Sequence, residues 1–168
     1  MSLLPRPTPI PVRAGQESVW DYPRPPAVDA SGERVEVFLG NDRIAATDAP
    51  LRVLETSHPP TYYLPRSAFT PGSLRAAPGS SFCEFKGSAD YLDLVAEDIV
   101  VPAAAWFYPR PSADYRALTD HIALYPGRVT RVTVNGEVVR PQPGEFYGGW
   151  ITDRVAGPFK GAPGSRFW

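Results

Sequence analysis

Between Leu51 and Pro65 the chain reads LRVLETSHPPTYYLP, which sets an acid, a histidine, a proline pair and two tyrosines in one short extended segment. Partly desolvated, Glu55 would serve as a general base or accept a ligand's donors, beside an imidazole that titrates near neutral pH. The other reading of Glu55 is a buried ion pair with Lys86 or Arg52, which asks no chemistry of it. Cys83 is the only cysteine, and a nucleophilic reading joins it to His58 as base and to Glu55 as the group that orients the imidazole. Against that stands a small core residue in an apolar strand. His58 precedes Pro59, and turn geometry accounts for it as readily as proton transfer does.

Lys86 precedes Gly87, where backbone approaches a bound group closely, so its ammonium is a candidate holder of an anion or else a solvated strand residue. Tyr62, Tyr63, Trp106, Tyr108 and Tyr125 suit an aromatic box for a planar or cationic ligand, although aromatics at strand spacing also fill cores. Buried phenols need polar partners. The candidate catalytic residues are therefore Glu55, His58 and Cys83, and the candidate ligand-binding residues are Arg52, Glu55, Tyr62, Tyr63, Lys86, Trp106, Tyr108 and Tyr125. Two histidines, one thiol and scattered acids make a poor donor set, so no metal and no cofactor is expected. His121 reads as structural or exposed.

The elements that must position these residues are strands. Val35, Val37 and Leu39 alternate with polar neighbours, Gly40-Asn41-Asp42 supplies a turn, and Ile44 and Ala46 return as the second strand of a hairpin. Leu51, Val53 and Glu55 share one face of the next strand, Tyr62 and Tyr63 stay extended, and Pro65 opens a short turn or helical stub through Phe69. Ser80 to Lys86 and Tyr91 to Val95 read as a hairpin linked by Gly87-Ser88-Ala89-Asp90. Ala103 to Tyr108 is a further strand, Pro111 to Thr119 has the spacing of a short helix, and 122–125, 129–134 and 137–139 complete the sheet. Asn135-Gly136 is a type I′ hairpin signal.

At 168 residues the chain fits one domain with arms. We divide it into a proline-rich arm over residues 1–33, a β core over 34–140, and a glycine- and aromatic-rich wrap over 141–168 that belongs to the same domain and adds no regular structure. The 21 prolines and 14 glycines forbid long helices. Trp20 and Tyr22 form a sticky island that docks on this domain or on a neighbouring subunit, and a homodimer through the terminal arms is a further expectation. Net charge is −1 without a basic run, which argues against nucleic acid. No stretch approaches a membrane span or a signal peptide, and the lone cysteine suits a reducing compartment, so a cytoplasmic protein with no membrane partner is expected.

ESVWDYPRPP, LRVLETSHPPTYYLP, the Cys-x-x-Lys-Gly of Cys83 to Gly87, the Trp-x-Tyr-Pro of Trp106 to Pro109, PGEFYGGW and GPFKGAPG together resemble domain of unknown function family 427, over roughly Glu17 to Trp168. The resemblance implies a compact, mainly β domain, antiparallel and of the β-tent or small-barrel type, with a cavity between sheets. It also carries a nucleotidyltransferase-like label. The residues themselves show neither a phosphate-cradling glycine loop ahead of a helix nor closely spaced metal-binding carboxylates. The segments Phe146–Trp150 and Gly157–Gly161 cap the cavity, pack on the domain or meet a second subunit.

The leading expectation is a small polar or anionic ligand bound in the inter-sheet cavity. The alternatives are a hydrolytic or transfer enzyme built on Glu55 with His58 or Cys83, and a structural or dimerisation module whose cavity is ordinary core.

Overall fold

Alternating apolar residues and tight turns build nearly everything in this molecule, and the computed structural model describes residues 6–144 and 146–168 of it. The strands are β1 (Glu17–Ser18), β2 (Ala27–Ala30), β3 (Val35–Leu39), β4 (Asp42–Thr47), β5 (Leu51–Leu54), β6 (Thr61–Pro65), β7 (Leu74–Cys83) and β8 (Gly87–Ala96). They continue with β9 (Ile99–Phe107), β10 (His121–Leu124), β11 (Arg131–Val134), β12 (Glu137–Val138), β13 (Arg140–Pro141), β14 (Trp150–Ile151) and β15 (Val155–Ala156). Only short 3₁₀ turns interrupt them among the described residues.

Two antiparallel sheets form the body. The larger has the order β2-β5-β6-β10-β9-β8-β7 and the smaller β12-β11-β3-β4, and both remain open rather than closing into a barrel. Val35, Val37 and Leu39 of β3, Ile44 of β4 and Val132 and Val134 of β11 face Tyr62, Leu64, Leu92, Leu94, Ile122 and Leu124 of the large sheet in one shared core. Burying such side chains contributes about 1.5–3 kcal/mol each, which is the main force holding the layers together. The space between the sheets is thus taken by apolar side chains. The clefts described below open instead at the surface.

The β11–β12 turn follows its sequence signal: Asn135 and Gly136 have φ of 50° and 83°, the two positive values that a type I′ turn requires. The second hairpin does not. Its turn falls at Glu84–Lys86, three residues earlier than the glycine-rich link suggested, and Cys83 pairs with Gly87 across it. Alternation of Phe82, Glu84 and Lys86 runs on into the turn, so Lys86 sits at a hairpin tip instead of on a strand. The helix expected over Pro111–Thr119 appears as a 3₁₀ segment, Ala113–Leu118, whose Tyr115 and Leu118 are buried against the outer face of the large sheet.

The arms are more ordered than expected. Ala27–Ala30 becomes the edge strand of the large sheet, beside β5, and Glu17–Ser18 pairs in parallel with Val155–Ala156. Val19, Tyr22 and Val155 bury one another there, so the Trp20–Tyr22 island docks on its own chain. The C-terminal wrap likewise carries three short strands, β13 to β15.

Candidate functional site

Strand register divides the candidate residues between two faces. Leu51, Tyr63, Ala123, Trp106 and Tyr91 pair in succession across β5, β6, β10, β9 and β8, so they share the outer face of the large sheet. Asp29, Arg52 and Tyr62 pair at the alternate positions and point the other way. The ligand cage expected around Arg52, Tyr62 and the other tyrosines therefore does not assemble.

Arg52 is fully buried and already occupied. Its guanidinium bonds Glu17 at 2.9 Å and Asp29 at 2.7 Å, and burial is outweighed by these carboxylates, which raise its pKa above an ordinary arginine. Arg154 continues the network to Glu17 and Glu33, both at 2.8 Å. Tyr62 donates its hydroxyl to Glu33 at 2.8 Å and stacks on Trp150 with 4.6 Å between centroids. These residues fasten the N-terminal and C-terminal segments to β5 and β6. Tyr22, lodged beside them, keeps a buried hydroxyl without a partner among the described residues, and burial with Glu17 nearby pushes its pKa up to about 12.

On the outer face, Tyr63 and Tyr108 are buried with ring centroids 6.4 Å apart. Burial holds both phenols above tyrosine's ordinary range, so they act as neutral hydrogen-bonding groups at physiological pH. Cys83 packs at their edge, partly exposed, in the same apolar cluster as Tyr115 and Leu118. Lys86 reaches over the Tyr108 ring at 5.9 Å. Cys83 and Lys86 thus belong to the β7–β8 tip.

Glu55 and His58 lie elsewhere. β5 ends at Leu54, so Glu55 falls in the loop before β6, where it pairs with Arg24 at 3.8 Å. His58 Nδ1 lies 2.9 Å from the Thr56 carbonyl and 4.0 Å from Glu55 Oε2. A carbonyl only accepts, which assigns the Nδ1–H tautomer to the neutral ring and leaves the Nε2 lone pair free of that contact. Burial lowers the His58 pKa below its ordinary value, Lys160 and Arg24 add to the effect, and Glu55 with the Thr56 carbonyl opposes it. His58 meets Tyr147 edge-on at 5.4 Å. Its neighbours are thus Glu55, Thr56 and Tyr147, whereas Cys83 packs with Tyr63, Tyr108 and Tyr115; among the described residues no hydrogen bond joins Cys83 to His58 or Glu55.

Tyr147 also lines a cleft of about 510 Å³, together with Tyr125, Pro126, Gly127, Arg128, Pro141, Gln142 and Gly144. Trp106 lies at its edge, tilted against Tyr125 with 4.7 Å between centroids and covered by Gly148. Among the described residues the Arg128 guanidinium lies 4.2 Å from the Tyr125 ring centroid and donates once, to the Ala103 carbonyl at 3.2 Å. Five N–H donors on one guanidinium leave several for a ligand. Of the expected ligand residues, Tyr125 is in this wall and Trp106 borders it. Among the described residues no group of three His, Cys, Asp or Glu side chains is placed to hold a metal ion, and no described helix is long and apolar enough to cross a membrane.

Residues 27–135 match the family described as Domain of unknown function (DUF427). This chain belongs to DUF427. The match runs from β2 to the β11–β12 turn, and so takes in the whole larger sheet, three of the four strands of the smaller one, the Glu55–His58 loop and the Tyr125–Arg128 part of the cleft. The rest of the cleft lining, Pro141, Gln142, Gly144 and Tyr147, lies beyond the part of this DUF427 chain that the family describes. No curated protein matches the chain.

Sequence reading missed Arg128, Gln142 and Tyr147. Arg128 stands in a Pro-Gly-Arg turn and Gln142 between two prolines, neither of which carries a chemical signature. Tyr147 lies in PGEFYGGW, which was open to a capping role; Glu145 of that motif lies outside the described residues.

Proposed function

We propose that this DUF427 chain binds a small molecule bearing a planar ring and one anionic group, in the cleft between Tyr125 and Tyr147. Arg128 carries the reading: it lines the cleft, its guanidinium lies over the Tyr125 ring, and among the described residues it donates to a single carbonyl. Stacking fixes the plane of the fork and lowers the entropic cost of gripping a carboxylate or sulfonate. Tyr125, Tyr147, Pro126 and Pro141 supply apolar and aromatic walls for the rest of the ligand, and the volume falls within the roughly 300–1,000 Å³ of small-molecule sites.

One guanidinium suits a monoanion better than a phosphate monoester, whose second charge would remain uncompensated. The test is fluorescence titration with 8-anilinonaphthalene-1-sulfonate, a probe whose planar naphthalene ring carries one permanent negative charge. Saturable binding at one site that weakens about tenfold or more in Arg128→Ala supports the reading, since a charge-assisted bond contributes roughly 1.5–3 kcal/mol. Equal affinity in Arg128→Ala would contradict it.

A further inference from the structure

The part of the cleft lining that carries Gln142 and Tyr147 is mounted on the loop that holds His58. Gln142 accepts from the Gly149 amide at 3.1 Å and donates to the Lys160 carbonyl at 2.8 Å. The Lys160 amide donates to the Ser57 carbonyl and the Trp150 amide to the Pro60 carbonyl, both at 2.8 Å. Pro59 presses so closely on Gly149 that a β-carbon there would come within 2.6 Å of its ring. Tyr147 thus stands on a segment clamped to Ser57–Pro60, and its ring rests on the imidazole of His58.

We infer that His58 gates the cleft: as a neutral imidazole it supports the Tyr147 wall, and on protonation it loosens that wall and releases the bound anion. The inference rests on the cleft being the binding site. The groups facing His58 come from every segment packed around it. Glu55 lies 4.0 Å away on its own loop, Arg24 on the N-terminal segment, Lys160 on the C-terminal segment, and Tyr147 on the wall itself.

Glu55 already answers Arg24 at 3.8 Å, and Arg24 also donates to the Thr56 carbonyl at 3.0 Å. Among the described residues, a proton on His58 therefore adds a positive charge where one carboxylate is shared and two cations stand near. Its side chain is only 16 % exposed, so the new charge is poorly hydrated unless the loop opens. The lowered pKa of the ring has the same sign, with burial and the two cations outweighing Glu55 and the Thr56 carbonyl. Opening the loop moves Pro59 and Pro60, and with them Tyr147 through Trp150.

The probe is again 8-anilinonaphthalene-1-sulfonate, whose sulfonate keeps its charge throughout, titrated from pH 7.5 to 5.5. NMR spectra of the Tyr147 ring and the His58 nitrogens are followed over the same range without probe. Wild-type affinity is expected to fall about fivefold or more, a typical coupling between linked sites. His58→Asn, which keeps a donor for the Thr56 carbonyl, should flatten that fall to less than about twofold. The Tyr147 ring signals should shift with the His58 titration. An unchanged pH dependence in His58→Asn, or Tyr147 signals that stay still while His58 titrates, would overturn the gate. Absence of probe binding at pH 7.5 would instead defeat the cleft reading, and the Tyr147 signals would still decide whether the wall responds to His58.

Discussion

The α-carbon of Gly148 lies against the indole of Trp106 so closely that no β-carbon fits between them. That contact brings the C-terminal wrap down onto the outer face of the large sheet and sets the distance between the two sides of the cleft. Gly148→Ala must displace either the ring or the loop. A destabilisation of about 1–3 kcal/mol is expected from such overpacking, read by urea denaturation. Loss of probe binding should accompany it, because Tyr147 is the adjacent residue.

Arg52 was a ligand candidate in the sequence and is a buried clamp in the fold. Arg52→Met should cost about 1.5–3 kcal/mol: Asp29 loses its cation, whereas Glu17 keeps Arg154, and both carboxylates are partly exposed. The affinity of the folded fraction for the sulfonate probe should stay unchanged. A variant that keeps full stability but loses the probe would show that Arg52 meets the ligand after all.

Cys83 offers a contrasting case. It packs at the edge of the Tyr63–Tyr108 cluster and makes no hydrogen bond to His58 among the described residues. Cys83→Ala should lower stability by less than about 1.5 kcal/mol and leave probe binding intact. Alkylation of wild-type protein by iodoacetamide at pH 7.5 should run no faster than that of free glutathione, whereas a rate well above it would restore the nucleophilic reading.

His58 links stability to pH with a definite sign. Its folded pKa lies below its ordinary value of 6.5, so on acidification the unfolded chain takes up the proton first. The stabilisation is complete above about pH 6.5 and is lost as pH falls from there through the lowered pKa. The urea midpoint should therefore drop between pH 7.5 and 5.5, and the drop should shrink in His58→Asn. A midpoint that rose on acidification over this interval would contradict the assignment.

Local chemistry made much of the fold legible. Asn135-Gly136 announces its turn because both residues tolerate positive φ, and Val35, Val37 and Leu39 announce a strand because one face of it is buried. The Glu84–Lys86 turn was not legible, since alternation continues through it and Gly87–Asp90 looks more turn-like. Pairing with β9, which sets Tyr91 opposite Trp106, decides the register there. Arg52 could not be told from a ligand residue without knowing that Glu17 and Asp29 arrive from the arm to meet it. Arg128 acquires meaning only when the wrap brings Gln142 and Tyr147 across from it, a contact between segments that no spacing encodes.

On this reading an anion with a planar ring sits between Tyr125 and Tyr147, with its charge on Arg128. Backbone chemical-shift mapping during titration with 8-anilinonaphthalene-1-sulfonate tests this most directly. The largest changes are expected at Gly127, Arg128, Gly144 and Tyr147, and they should vanish in Arg128→Ala. Changes centred on Lys86 and Cys83 at the β7–β8 tip, or on Tyr22 and Glu17 beside the N-terminal arm, with this cleft undisturbed, would contradict it.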